Sequence, residues 1–554
     1  MQVYHILVVS EFCILRMEVN KPGLERMVVY DFISVLKYLN MKDKTCLRAV
    51  NTNLHSRINQ LEDTFKVWSV GNVNSAKLMR VADEIQIIED LTLKLSSNDV
   101  GHAFVQLIEN HPEIHTLDLS LHVQGALQSD FILLSIFSCM DQLKYLHIRN
   151  LPGKGELLES VRISSSLENL LLSNCNHLSN KGFTLILRNF CSGLKLLILH
   201  RVSVSTLRVK KGEKFLPMIK KLVLNECFNL NDARLSEILA TCGTQIKELR
   251  IIKSGQIKDM VVKRDLKISF PSLEILKIIR CVNMTENGLH NILRMSGSEL
   301  IELSLCGMMI NGKEFDEKVK SFPKLKFLNL KNCKNVDDAG LSQILASCGT
   351  SLEELNIQNL KKIKNIKGKH DLKISFPCLE MLCLDGCSNI TDKGLYNILR
   401  MCGGELTELY LVGSSFIRGQ NFMQEVKPFP KLEILDMHSC GYVTHENLHE
   451  MFNVLGGNIR ELHLSSDRVD LLCLDGCLKY LFKLEILHLE NCLMIRPSRF
   501  QQVFDMVGKR VKTLSISNVY SNFSSEFEEK MRLTYPQLEL TVSRLEEDPW
   551  KDFP

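Results

Sequence analysis

One spacing recurs along this chain and restricts its fold more than any other feature. It reads apolar, two variable, Leu, one variable, apolar, two variable, Cys. It occurs at Leu167-Leu170-Leu172-Cys175, Ile219-Leu222-Leu224-Cys227, Leu273-Leu276-Ile278-Cys281 and Leu325-Leu328-Leu330-Cys333. It continues at Leu379-Leu382-Leu384-Cys387, Leu432-Leu435-Met437-Cys440 and Leu484-Leu487-Leu489-Cys492. Successive cysteines stand 52, 54, 52, 54, 53 and 52 residues apart. Midway lie copies without the cysteine, opening at Leu194, Ile246, Leu300, Leu352, Leu406, Ile459 and Val511. The step is therefore about 26 residues, in two alternating types. Weaker copies open at Ile88, Ile114 and Leu143, and a last one near Leu538, which gives eighteen expected strands. The heptapeptide of Asp265–Pro271 returns at Asp371–Pro377, 106 residues on, so two pairs of units were copied together.

Apolar residues at positions four and six, alternating with variable ones, make a strand with one buried face. A turn follows the cysteine, with Thr285, Thr391 or Thr444 as a helix cap. Then comes an apolar i, i+3, i+4 set, as in Leu289-Ile292-Leu293, Leu341-Ile344-Leu345 and Leu395-Ile398-Leu399. No such unit buries its apolar side alone, so neighbours stack. In the intervening copies the return segment is irregular and Lys-rich, as in Arg208–Lys221 and Asn359–Lys369. Helices are expected mainly after every second strand.

These units resemble the cysteine-containing class of leucine-rich repeats, across roughly residues 88–540. The signature is Cys-x-x-(Ile/Leu/Val)-(Thr/Asn/Asp)-(Asp/Glu)-x-Gly-Leu, cleanest at Cys333–Leu341 and Cys387–Leu395. The implied fold is an α/β leucine-rich-repeat solenoid, a horseshoe with parallel strands on its concave side.

The chain has 554 residues, 45% of them hydrophobic, and no run of 18 uninterrupted apolar residues, so no membrane partner is expected. Its 68 basic and 64 acidic side chains nearly balance, which argues against a nucleic-acid partner. Val3–Leu15 is apolar but interrupted by His5 and Glu11 and lacks a basic start, so a signal peptide is not expected. Seven of the nineteen cysteines occupy the turn, and Cys191, Cys242, Cys348 and Cys402 recur near helix ends. Cysteines of one class lie two strands apart, about 9.6 Å, beyond the roughly 7 Å a disulfide spans. Reduced thiols and a cytoplasmic or nuclear location follow.

Residues 24–60 differ from the repeats, between a tail at 1–23 and the solenoid at 61–540, with an acidic tail at 541–554. The spacing predicts a helix ending near Leu39, a turn over Asn40–Asp43 and a second helix carrying Leu47, Val50 and Leu54. The hairpin resembles the F-box. Val35, Leu36 and Leu39 match its first helix, Asp43 its turn, and Leu47, Val50 and Leu54 its second helix. Arg26-Met27-Val28 stands where the motif opens with Leu-Pro, and Leu54 where it ends in Trp or Leu. The resemblance implies a substrate receptor. The hairpin would dock a Skp-type adaptor of a cullin-RING ubiquitin ligase, and the repeats would hold a protein target. The alternative reading is a helical cap on a scaffold or inhibitor-like repeat protein.

Strand positions three, five, seven and eight point to the concave face. Position three reads Glu248, Glu302, Glu354, Glu408 and Glu461 in one type of repeat and Ile275, Phe327, Met381, Ile434 and Ile486 in the other. Position five includes Arg250, Tyr410, Asp436, His463 and His488. Acidic and apolar rungs suit a basic, partly apolar protein segment. A solvated Glu copied by duplication and paired with neighbours such as Arg250 is the competing explanation. Tyr410 is the best single anchor, since aromatic side chains dominate interface energetics.

Three motifs invite chemistry the register does not support. His445-Glu446-Asn447-Leu448-His449 spells a zinc-protease pattern but falls at a helix start with no cleft. Cys383 with Cys387, and Cys473 with Cys477, lack further ligands. Asn283, Asn389 and Asn522 head glycosylation patterns, but the first two belong to the repeat turn. No phosphate-binding Gly loop or nucleophile constellation occurs. No metal ligand, cofactor or enzymatic activity is expected.

Overall fold

Alternation fixes the strands, and stacking fixes the sheet. The computed structural model describes residues 4–6, 15–17 and 67–544, apart from 74, 77, 80–87, 96–99, 123–125, 140, 162–165, 205–206, 208–211, 261–267, 314, 316–320, 367–373, 441–442, 466–475, 491–509 and 520–524. The F-box-like residues Val35, Leu36, Leu39, Asp43, Leu47, Val50 and Leu54 lie outside them, as do Cys473, Cys492 and residues 545–554.

The chain divides into two units, Met1–Leu167 and Glu168–Pro554. In the first, β1 (Tyr4–Ile6) and β2 (Leu15–Met17) pair antiparallel. Then β3 (Val67–Val73), β4 (Asp90–Leu95), β5 (Thr116–Leu121) and β6 (Tyr145–Arg149) form a parallel sheet in chain order. Helices α1 (Val100–Asn110) and α2 (Ala126–Cys139) follow β4 and β5. Strand β3 lies ahead of the first expected repeat; Gly71 and the polar residues around it hid its alternation.

The second unit is an α/β solenoid. Its parallel strands are β7 (Asn169–Ser173), β8 (Leu196–His200), β9 (Lys221–Asn225), β10 (Glu248–Ile252), β11 (Ile275–Ile279), β12 (Glu302–Ser304), β13 (Phe327–Asn329) and β14 (Glu354–Asn356). They continue through β15 (Met381–Cys383), β16 (Glu408–Tyr410), β17 (Ile434–Met437), β18 (Glu461–Ser465), β19 (Ile486–Glu490), β20 (Thr513–Val519) and β21 (Glu539–Arg544). Each pairs with the next. Helices α3 (Asn180–Phe190), α4 (Asp232–Thr241), α5 (Glu286–Met295), α6 (Asp338–Ser347), α7 (Asp392–Met401) and α9 (His445–Leu455) follow the cysteine-bearing strands, as expected. Among the described residues of the intervening units only the single turn α8 (Phe422–Glu425), after β16, and a helix after β20 are α-helical. A final helix, α10 (Ser525–Thr534), precedes β21.

The signature residues each have a job. The cap hydroxyls of Thr285, Thr391 and Thr444 accept the N–H of Gly288, Gly394 and Asn447 at 3.1, 3.4 and 3.4 Å. The acid after the cap grips the following unit. Asp392 accepts the N–H groups of Arg418, Gly419 and Gln420 at 2.8, 2.9 and 3.3 Å, and Asp338 those of Lys364 and Asn365 at 2.7 and 3.0 Å. The glycine admits the preceding unit, since a Cβ on Gly340 would sit 1.7 Å from the Asn311 carbonyl oxygen. Three of the turn cysteines are buried with thiols that donate to the preceding unit: Cys333 to Leu305 O at 2.9 Å, Cys387 to Ile357 O at 3.1 Å and Cys440 to Leu411 O at 3.1 Å. Burial pushes each of these thiols up to about 12, so they are donors at neutral pH.

Candidate binding face

The buried positions four and six leave positions three and five on the face of the sheet away from the core, half-exposed. Register turns the sequence pattern into two continuous ladders. One runs Glu248–Ile275–Glu302–Phe327–Glu354–Met381–Glu408–Ile434–Glu461–Ile486, each residue paired across to the next. The other carries Arg250 at one end and Tyr410, Asp436, His463 and His488 at the other. Every face residue expected from the sequence stands on one of these ladders.

The acids are not alike. Glu248 is paired with Arg250 and lies 3.0 Å from Lys221 Nζ, and Glu302 lies 2.5 Å from Lys277 Nζ. Glu354 has no cation within ion-pair distance among the described residues. Burial raises its carboxyl above the usual range, and repulsion by Glu408 and Glu302 raises it further. Copied, salt-bridged glutamates thus account for the first half of the ladder but not for the second. Tyr410 is half-buried rather than free, and its hydroxyl donates to Glu408 Oε2 at 2.8 Å. Burial, then that bond, pushes the phenol far up.

The C-terminal end gathers imidazoles. His438, at position seven just beyond β17, donates through Nδ1 to Asp436 Oδ1 at 2.8 Å. His463 Nε2 meets Glu461 Oε1 at 2.6 Å. The His463 ring stacks on His488 at 4.3 Å and meets His438 edge-on at 5.2 Å. Burial raises the Asp436 carboxyl, but the His438 hydrogen bonds outweigh it and hold it below its ordinary value. The bond to Asp436 raises His438, whereas burial and then His463 lower His488. His463 and His488 were expected on this face from position five; His438 was not among the expected residues. It stands at position seven, itself an expected outward position, and following that position residue by residue exposes the cluster.

The sequence decoys lie elsewhere. His449, on α9, contacts the Tyr480 hydroxyl at 3.3 Å through Nε2. Cys383 donates to Asp385 on the open face, while Cys387 donates into the core.

No protein-family profile matches the chain. It is 24% identical over 404 residues to the putative RNA-binding protein EEED8.10 of Caenorhabditis elegans, covering 72% of this chain and 51% of that protein. It is 26% identical over 154 residues to antagonist of mitotic exit network protein 1 of Eremothecium gossypii, covering 26% of this chain and 38% of that one. The chain thus spans about half or less of the length of these relatives. The crystal structure of the yeast Rad7 and Elc1 complex contains a chain with 15% identity and a TM-score of 0.36 to this one, covering 74% of this chain and 92% of that one.

Proposed function

We propose that this chain is the substrate-recognition subunit of a Skp–cullin–F-box-type ubiquitin ligase. The observation that carries the target-binding half is the ladder of alternating carboxylates and apolar side chains, uncompensated around Glu354. A basic, partly apolar segment of a protein target complements it in charge and surface. The adaptor-binding half rests on the F-box resemblance of residues 24–60. The chain itself makes no bond. It raises the local concentration of the target beside the ubiquitin-carrying enzyme. In this reading it works in the cytoplasm or nucleus, where thiols stay reduced. An acidic stripe repels phosphate, so the RNA binding in the name of the Caenorhabditis relative is not carried over.

The test is co-purification of the full chain with a Skp-type adaptor, beside Leu36→Asp and Val50→Asp variants. Stoichiometric adaptor on the parent chain, lost from both variants at unchanged melting temperature, supports the reading. A folded parent chain that captures no adaptor sinks it and leaves a repeat scaffold.

A further inference from the structure

We infer that the C-terminal end of the open face holds a zinc-type divalent metal ion on Asp436, His438 and His463, with Glu461 and Glu490 orienting the two imidazoles. The inference stands apart from the ligase reading and departs from the sequence expectation of no metal ligand.

The donor set comes first. One carboxylate oxygen of Asp436 and one ring nitrogen each of His438 and His463 lie within 4.8 Å of one another. Zinc bonds of about 2.0–2.2 Å place tetrahedral donor atoms about 3.4 Å apart. His438 Nδ1 lies 2.8 Å from Asp436 Oδ1, and His463 Nδ1 lies 4.0 Å from the other carboxylate oxygen, Oδ2. Side-chain torsions close the remainder, with the backbone fixed by the strand pairing of Asp436 to His463.

The outer partners are the second observation. A ligating imidazole characteristically donates its other N–H to a carboxylate, which sets tautomer and orientation. Here both distal nitrogens face one: His463 Nε2 lies 2.6 Å from Glu461 and His438 Nε2 lies 3.6 Å from Glu490. Two rings, each between an inner shared Asp and its own outer Glu, exceed what two separate ion pairs require. A second set, Glu461, His463 and His488, shares the central ring. It is the weaker candidate, because it turns Glu461 from orienter into ligand and leaves His488 with no carboxylate at ion-pair distance among the described residues.

The environment suits a cation. Asp385, Asp436 and Glu490 act on His438, and Asp436 and Glu461 on His488. Side-chain exposures of 13–20% for the three ligands leave an entry path. Mixed nitrogen and oxygen donors favour zinc-class ions over magnesium or calcium, which take oxygen shells. Beside them lies a cavity of about 150 Å³, lined by His438, His463, His488, Glu490, Ser515 and Ser517. It leaves a coordination position for water or for a side chain of a bound protein.

The full chain, stripped with a chelator, is titrated with Zn2+ against a competing chromophoric chelator, and with Co2+ to read ligand geometry from its visible spectrum. The expected result is one ion per chain and a tetrahedral cobalt spectrum. His438→Ala and His463→Ala should abolish binding, and Glu461→Gln should weaken it about 10–100-fold. His449→Ala and Leu36→Asp should leave it unchanged, which separates this site from the helix motif and from adaptor docking. Absence of binding in a chain with a normal melting transition overturns the proposal. Loss on His488→Ala with retention on His438→Ala also overturns it, by moving the ion to the other set. Because Glu461→Gln preserves shape, unaltered affinity in that folded variant would refute the orienting role even if the alanine variants misfold.

Discussion

Gly340 shows how a signature residue is set by a neighbour rather than by its own helix. Glycine inside a first helical turn costs stability by itself. It is kept because the Asn311 carbonyl lies where a Cβ would go, and that carbonyl is backbone. Gly340→Ala should therefore lower stability by about 1–3 kcal/mol through overpacking, despite the better helix propensity of alanine. Denaturant unfolding of the two proteins measures it; a gain in stability would show that the loop yields. The same scale accounts for position eight, where strands β6 to β17 turn through a left-handed residue: Asn332 at φ 62°, Asn359 at 61° and Gly386 at 66°, but also Arg280 at 53° and Lys253 at 52°. Asn and Gly accept this region readily and Arg or Lys do not. That turn was invisible in the sequence because unfavourable residues occupy it as well. The thiols give a second prediction. Cys378 is exposed whereas Cys333 and Cys387 are buried with raised pKa values. Limited alkylation of the native protein, read by peptide mass mapping, should mark Cys378 well before Cys333 or Cys387; equal labelling would mean that the repeats open readily.

Among the elements, the short strands carry the functional argument. Strands β12 to β16 have three residues each, yet each presents one ladder residue per row. Glu354 sits on the middle one with its carboxyl raised, first by burial and then by Glu408 and Glu302. A raised acid is destabilised as the carboxylate, so its unfavourable contribution is present at neutral pH and disappears as pH falls through the folded pKa towards the ordinary 4.5. Glu354→Gln should accordingly raise the melting temperature at pH 7, with the difference fading below about pH 4.5. A variant less stable than the parent at pH 7 would mean that Glu354 has a cation partner. A charge retained against stability is what a binding face for a basic segment requires. The strand positions, caps and helices after alternate strands were legible because period two and period 3.6 write directly into the sequence. The charge balance along the ladder was not, because it depends on lysines at other positions, such as Lys221 and Lys277, that reach the first acids and not the later ones. The imidazole cluster was half legible: His463 and His488 share position five, but His438 reaches them from position seven through a turn.

For the solenoid unit as a whole, energy is shared between neighbours, so its tolerance to deletion is set by phase. Removing residues 325–378 takes out β13, α6 and β14 together, 54 residues and one full alternation. Lys324 then runs into Leu379, Glu302 on β12 meets Met381 on β15, and a helix-bearing unit again follows a helix-poor one. Removing only residues 325–351 leaves two helix-poor units side by side. It sets Glu302 beside Glu354 on rungs about 4.8 Å apart, with no Asp338 to hold Lys364 and Asn365. The longer deletion should therefore give a cooperative melt close to that of the parent and the shorter one a broadened melt at lower temperature, both read by circular dichroism. If the shorter deletion is equally well tolerated, the two repeat types are interchangeable. The alternation of acid with apolar side chains would then owe nothing to the fold, and binding alone would have to account for it.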